Sequence, residues 1–266
     1  MKRAFLCLLG FAFILSTLCV PTVASEKAYS WYCVHEKEHR RPRIDPSLGF
    51  IEELDGYYIG PEKADGDKVI YLTFDAGYEN GNVERILDVL KEESVTAAFF
   101  ILGHLIEKNP DLVLRMAQEG HTVCNHTYHH RNMAKSDKET FSAELSSLAK
   151  AYRDLTGTPM ASYYRPPEGR FTRENLVWAK EMGYATVFWS FAYPDWDNQK
   201  QMSPEKAKQI VLDNVHDGEI MLLHPTSATN AAILRDVISA LREEGYRFGS
   251  LQELREKGRP EEGSLD

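Results

Sequence analysis

The sequence predicts an α/β chain whose sheet is a distorted, incomplete (β/α) barrel. Three observations predict it. The apolar run Val69 to Phe74, stopped at once by Asp75 and Gly77, reads as a strand buried on both faces. Runs of this kind alternate with helical patterns without long loops, which argues for a parallel sheet. Seven such strands can be counted, one short of a complete eight-stranded barrel and slightly many for a small doubly wound sheet.

The elements follow in order. After the opening strand, Val83, Ile86, Leu87 and Leu90 recur at helical spacing up to Lys91-Glu92-Glu93. Thr96 to Leu102 is the next strand. Asn109-Pro110 opens a helix, with proline at its first position, that stops at Gly120. Thr122 to Cys124 is a third, short strand. Ser136 and Glu139 form a capping box for a helix whose Phe141, Leu145, Leu148, Tyr152 and Leu155 make one stripe, and Gly157 ends it. Tyr163 to Arg165 is a strand, Thr172 to Met182 a helix closed by Gly183, and Ala185 to Trp189 a strand. Ser203-Pro204 starts another helix, and Ile220 to Leu223 is the sixth strand. A helix carrying Ile233, Val237 and Leu241 leads to the last, Tyr246 to Phe248.

The ends differ from this body. Lys2 and Arg3 precede an apolar stretch from Ala4 to Val20, followed by small residues up to Ala24, which is the pattern of a secretory signal over residues 1–24. The alternative is an uncleaved anchor, since about 17 apolar residues lie at the short edge for a membrane span. Export to the medium or the cell envelope is the expectation either way. Residues 25–67 read as an irregular arm pinned by its aromatics, residues 68–256 as the catalytic domain and 257–266 as a tail. The 266 residues are 43% hydrophobic with net charge −9; loss of residues 1–24 removes Lys2 and Arg3 and no acidic residue, which gives −11. Nothing in this acidic balance suggests nucleic acid as a partner. The basic run His39 to Arg43 reads as a solvated loop, and no stable protein partner is expected. Cys33 and Cys124 remain after the signal, enough for one bridge or none.

Polar residues stand at the carboxyl ends of the strands, where a parallel barrel gathers its chemistry. Asp75 ends the first strand and His126 to His130 follow the third. Arg165-Pro166-Pro167 end the fourth, Asp195-Trp196 come after the fifth, and His224 ends the sixth. His126 and His130, four apart, reach one side of a helical turn and can share a metal. A bare pair at that spacing is more often a surface loop, but here it follows a strand on the face of Asp75. His104, His121 and His129 lack that support and read as structural. Arg165 is held stiffly before two prolines and favours the charged form of a nearby Asp75. His224 could deliver a proton, with Asp195 on its other ring nitrogen; a satisfied core histidine is the competing reading.

With these residues in place, the chain resembles the polysaccharide deacetylases, the NodB-homology or carbohydrate esterase family 4 group. TFDAG at 73–77, HTYHH at 126–130, RPPEG at 165–169, PDW at 194–196 and LLH at 222–224 match that family's five motifs in order, over about Lys68 to Leu254. TFDAGYENG, VFWSFAYPDW at 187–196, HPTSATNAAIL at 224–234 and YYIG at 57–60 resemble the subgroup that deacetylates spore-cortex peptidoglycan for muramic δ-lactam formation. The resemblance implies the distorted barrel of the NodB type. It implies Asp75 as base, His224 as acid, Arg165 and Asp195 as their supports, and His126 and His130 as ligands of a divalent metal, Zn²⁺ or Co²⁺. It implies peptidoglycan glycan strands as the substrate, met by Trp196, Pro166 and Pro167. Two departures stand out. Ala76 replaces the aspartate that is the family's third metal ligand, so the ion is held loosely, takes Glu79 or Asn80 instead, or is dispensable. Glu168 replaces the aromatic usual after RPP. N-acetylmuramic acid is the first substrate expected, with N-acetylglucosamine in peptidoglycan or a chitin-like polymer as the alternative and a non-catalytic glycan-binding module as a second.

Overall fold

The computed structural model describes residues 27–257 apart from 37 and 63–65; the signal and most of the tail lie outside the described residues. The arm supplies β1 (Tyr29–Ser30), a short helix α1 (Phe50–Glu53) and β2 (Gly56–Tyr57). The body then runs β3 (Lys68–Ala76), α2 (Asn82–Glu92), β4 (Ala98–Ile101), α3 (Gly103–Lys108), α4 (Pro110–Gln118) and β5 (Thr122–Asn125). Next come α5 (Lys138–Thr156), β6 (Tyr163–Tyr164), β7 (Arg170–Phe171), α6 (Arg173–Glu181) and β8 (Ala185–Val187). The chain closes with α7 (Pro204–Asn214), β9 (Glu219–Leu223), α8 (Ala228–Glu243), β10 (Tyr246–Phe248) and α9 (Leu251–Lys257).

The sheet is parallel and curls. It runs from β3 through β4, β5, β6 and β8, while β9 lies on the other edge of β3. Ile70 pairs with both Phe248 and Glu219, so β10 shares an edge with β4, lower down. Just beyond β2 and β8 the ring is completed by two bridges onto β9, Ile59 to Glu219 and Phe191 to Met221. All seven strands expected from the sequence are present. An eighth, β2, pairs parallel to β8 from within the arm that reads as irregular. Two residues, Gly56-Tyr57, carry no periodicity that a sequence pattern could register.

Both faces of the strands are buried, and alternation sorts them. Ile70, Leu72 and Phe74 face outward onto α2 and α8, with Phe74 stacked on Phe99 at 5.0 Å. Val69, Tyr71, Ala98, Phe100, Cys124, Tyr163, Ala185, Val187 and Ile220 fill the barrel interior, closed below by Leu251 and Leu254 of α9. The same parity carries upward to Asp75, His126, Arg165 and His224. The proline and glycine signals stand at the helix ends as expected, with two differences in the caps: Asn109 precedes α4 without a side-chain cap bond, and Asp137, not Ser136, caps α5 by accepting from Thr140 N–H. Its carboxylate lies one residue nearer the first turn. Cys33 and Cys124 are free thiols, and among the described residues no helix is long and apolar enough to cross a membrane.

The arm is part of the wall. Trp31 N–H donates to Gly169 O at 2.7 Å and its indole Nε1–H to Trp189 O at 2.9 Å. The ring packs on Phe188 at 4.8 Å and Tyr58 at 5.4 Å. His39 and Arg41, read as a solvated cluster, instead contact backbone carbonyls of Val215, Asp217 and Gly60. Truncating Trp31 to alanine should cost about 3–5 kcal/mol in urea denaturation, as expected for a buried aromatic. A cost below about 1 kcal/mol would mean that the arm is not structurally coupled to the barrel.

Candidate active site

A cleft of about 660 Å³ opens at the carboxyl ends of the strands and is lined by Asp75, His126, His130, Trp196 and His224. Arg165 and Asp195 stand directly behind it, both fully or nearly fully buried. Six of the ionisable groups singled out in the sequence therefore meet in one place.

One half centres on Arg165. Its Nη1 donates to Asp75 Oδ1 at 2.8 Å and its Nη2 to Thr73 Oγ1 at 3.0 Å. Nε and Nη2 also reach the carbonyls of Val187 and Phe188 at 2.9 and 3.1 Å, and the guanidinium lies 4.0 Å over the Phe100 ring. Burial works to raise the Asp75 pKa. The charges of His126, Arg165 and His224 and the Arg165 hydrogen bond outweigh it, so the carboxyl sits below its ordinary value. The other oxygen, Oδ2, remains 3.4 Å from His126 Nε2.

His126 and His130 do meet, with ring centroids 5.0 Å apart. The means differs from the expected helical turn: residues 126–130 form a bend, with Thr127 (φ 70°) and His130 (φ 58°) in the left-handed region. His130 N–H donates to Thr127 Oγ1 at 3.0 Å, which holds the bend. The contact of His126 Nδ1 with Arg165 O at 2.8 Å fits Nδ1–H as donor, leaving the Nε2 lone pair toward the cleft. Desolvation lowers the His126 pKa to about 4 against the pull of Asp75, and lowers that of His130 too. Neutral imidazoles are the ligand form. The donors present fit an open, weakly held divalent cation. Ala76 is buried outside the cleft wall, and neither Glu79 nor Asn80 lines it. Asn80 Nδ2 is committed to Thr226 O at 2.8 Å and Glu79 Oε1 to Gly81 N–H. Among the described residues no cluster of three His, Cys, Asp or Glu is poised for a metal.

The other half centres on Asp195. Its Oδ1 accepts from His224 Nδ1 at 2.7 Å and its Oδ2 from His224 N–H at 2.8 Å. Asn230 Nδ2 donates to the same Oδ2 at 2.6 Å, and Tyr193 Oη–H to Asn230 Oδ1. Desolvation alone would lower the His224 pKa, but the Asp195 charge and hydrogen bond, with Asp75 beyond, raise it overall. With Nδ1–H on Asp195, Nε2 faces the cleft.

Trp196 is 62% exposed and its ring lies 6.4 Å from that of His224. Pro166 and Pro167 are corrected: both are buried, and the turn after them presents Glu168, with φ 55°, to the cleft instead. Of the three set-aside histidines, His121 is buried and accepts from Ala97 N–H, His104 supports the Tyr78 ring, and His129 binds Glu144. Tyr78, 58% exposed, lines the cleft and was not among the residues singled out; nor was Asn230, whose place on α8 gives no strand-end signal.

The polysaccharide deacetylase family model matches residues 62–187. A peptidoglycan-N-acetylmuramic acid deacetylase of Bacillus subtilis is 38% identical over 226 residues, covering 85% of each chain. A peptidoglycan-N-acetylglucosamine deacetylase of Bacillus cereus is 34% identical over 78% of this chain and 74% of its own. The structure of the B. subtilis protein, a family 4 carbohydrate esterase, superposes with a TM-score of 0.83 at 36% identity, covering 88% of this chain and 99% of that one.

The buried histidines predict acid sensitivity. His121, His126 and His216 each have a folded pKa lowered by desolvation to about 4, against 6.5 unfolded. Unfolding therefore takes up protons below pH 6.5, and stability is lost as pH falls from 6.5 toward 4, by about 1–2 kcal/mol per histidine at pH 5. Urea midpoints at pH 7 and 5 check this. His121→Asn should flatten the dependence, and an unchanged slope would contradict the assignment.

Proposed function

The chain belongs to the polysaccharide deacetylase family, and from that membership we propose that it removes the N-acetyl group of N-acetylmuramic acid in peptidoglycan. The freed amine would then close onto the neighbouring acyl group to give muramic δ-lactam, as in spore cortex. Export by residues 1–24 would bring the protein to that substrate. The enzyme is a hydrolase of carbon–nitrogen bonds other than peptide bonds. The observation that carries this reading is that Asp75 and His224 line one cleft, each held by its own buried partner.

In the scheme, Arg165 holds Asp75 ionised at neutral pH and fixes one of its oxygens. The other oxygen orients a water and takes its proton as the water oxygen attacks the acetyl carbonyl carbon. Charge gathers on the carbonyl oxygen, and the backbone N–H after the first motif, at Tyr78 in the cleft wall, would receive it. A Cβ on Gly77 would come within 2.6 Å of Leu102 Cδ1, so any larger residue there would have to displace that side chain of the cleft wall. The carbon–nitrogen bond then breaks, His224 Nε2–H protonates the departing amine, and acetate leaves. Asp195 stabilises the imidazolium beforehand and sets its tautomer. A Zn²⁺ or Co²⁺ ion held by His126 and His130 would, when bound, polarise the acetyl oxygen or the attacking water. Trp196 offers an apolar face to a sugar ring.

Purified protein incubated with peptidoglycan trimmed of its peptide stems should release acetate in the presence of Co²⁺ or Zn²⁺. Mass spectrometry of muramidase products should place the loss on muramic acid rather than glucosamine. Asp75→Asn and His224→Ala should each lower kcat by about 10²–10⁴-fold, whereas a mere glycan-binding module would keep its binding and phenotype in both. The raised pKa of His224 sets the alkaline limb: kcat/KM should fall as pH rises through a value above 6.5, because the acid form is lost. Asp195→Asn removes the anion that raises this pKa and should move the limb to lower pH. A limb that stays in place would remove His224 from the role of acid.

A further inference from the structure

A buried carboxylate with no part in that chemistry grips the histidine loop. Glu144 lies on the apolar stripe of α5, three residues after Phe141 and four before Leu148, where a helix facing the core otherwise carries hydrophobic side chains. It is 5% exposed. A buried carboxylate is costly unless donors surround it, and all of its donors come from one short segment. Oε2 accepts from His129 N–H at 2.8 Å, Oε1 from His129 Nδ1 at 2.8 Å, and Arg131 Nε approaches Oε1 at 3.3 Å.

These contacts fall on the residues to either side of His130. That residue and Thr127 hold left-handed backbone conformations that non-glycine residues rarely adopt without outside support. Thr127 is fixed from the strand side, where its N–H donates to Asn125 Oδ1 at 3.0 Å, and Asn125 Nδ2 in turn donates to Leu145 O on α5. Helix α5 thus holds the bend at both ends, through Leu145 O at the start and the Glu144 carboxylate at the finish. We propose that Glu144 is a positioning residue that aims the His130 imidazole into the cleft, and so governs cation binding and turnover from outside the site. The proposal rests on the assignment of His130 as a ligand made above.

The test uses the full chain and three variants. Glu144→Gln keeps the size of the side chain but exchanges an acceptor for a donor where three donors converge. His129→Ala removes the exposed ring from the clamp and leaves the helix untouched. Leu148→Ala weakens the same helix one turn away without touching the loop. Calorimetric titration with Co²⁺ should show binding weakened about tenfold or more in Glu144→Gln, with kcat reduced in proportion, KM unchanged and faster amide exchange at residues 129–131. His129→Ala should show a smaller loss of the same kind. Leu148→Ala should lower Tm and leave Co²⁺ affinity and kcat at wild-type values. If Glu144→Gln lowers only Tm, as Leu148→Ala does, the positioning role is overturned. If the wild type neither binds Co²⁺ nor releases acetate, the functional reading fails instead, and amide exchange decides: faster exchange at 129–131 upholds the clamp, unchanged protection overturns it.

Discussion

A single buried guanidinium organises the mouth of this barrel. Arg165 has no exposed surface, yet its hydrogen bonds reach Thr73 and Asp75 on β3 and the carbonyls of Val187 and Phe188 at the end of β8. Its own carbonyl receives His126 from the end of β5. A charge buried that deeply is tolerable only with a full set of partners, and here the partners are the pieces of the site. The strands cannot shift against one another without stripping that charge of acceptors. Asp75, one imidazole and the curl of the sheet are therefore one cooperative unit.

The acid side is built separately. Asp195 sits in the loop after β8 and His224 at the end of β9, and α8 locks them through Asn230. The two halves meet at a thin seam of the ring, where the chain beyond β8 reaches β9 through the Phe191–Met221 bridge. Side chains reinforce what the sheet leaves thin there. Ser190 Oγ accepts from Ile220 N–H and lies 2.9 Å from His216 Nε2, while beyond the paired strands β3 and β9 Asn80 and Asn82 both donate to Thr226 O. A site that needs base and acid at a fixed separation gains from such ties, because small displacements of reacting groups are costly to rate.

The barrel and the residues at its strand ends were legible because each obeys a local rule. An apolar run followed by an ionisable residue marks the carboxyl end of a buried strand, and parity along β3 carries Asp75 to the same side as Tyr71. Features that depend on tertiary context were not legible. The bend that joins His126 to His130 is held by Thr127, Asn125 and Glu144, and a four-residue spacing reads equally well as a helical turn. Pro166 and Pro167, which the resemblance places against the sugar, are buried, and the chain turns after them to present Glu168. Glu144 did leave a trace, as a carboxylate on a stripe of hydrophobic residues. A single polar residue there is ambiguous until its partners are seen.

The replacement of the family's second aspartate by Ala76 bears on how this site holds its shape. A further carboxylate beside Asp75 would add negative charge to a pocket where the buried guanidinium of Arg165 is already engaged. It would repel Asp75 unless a metal were bound. With alanine in its place, the charged groups are held in internal pairs: Asp75 faces Arg165, Asp195 faces His224, and burial disfavours the charged form of both cleft imidazoles. The geometry of Asp75 and His224 is thus set by internal pairs, and a cation joining His126 and His130, as proposed above, would meet a site already formed. What such a site gives up is grip on the ion. Whatever affinity remains depends on how accurately the two imidazoles are aimed, which places the burden on the bend that carries them.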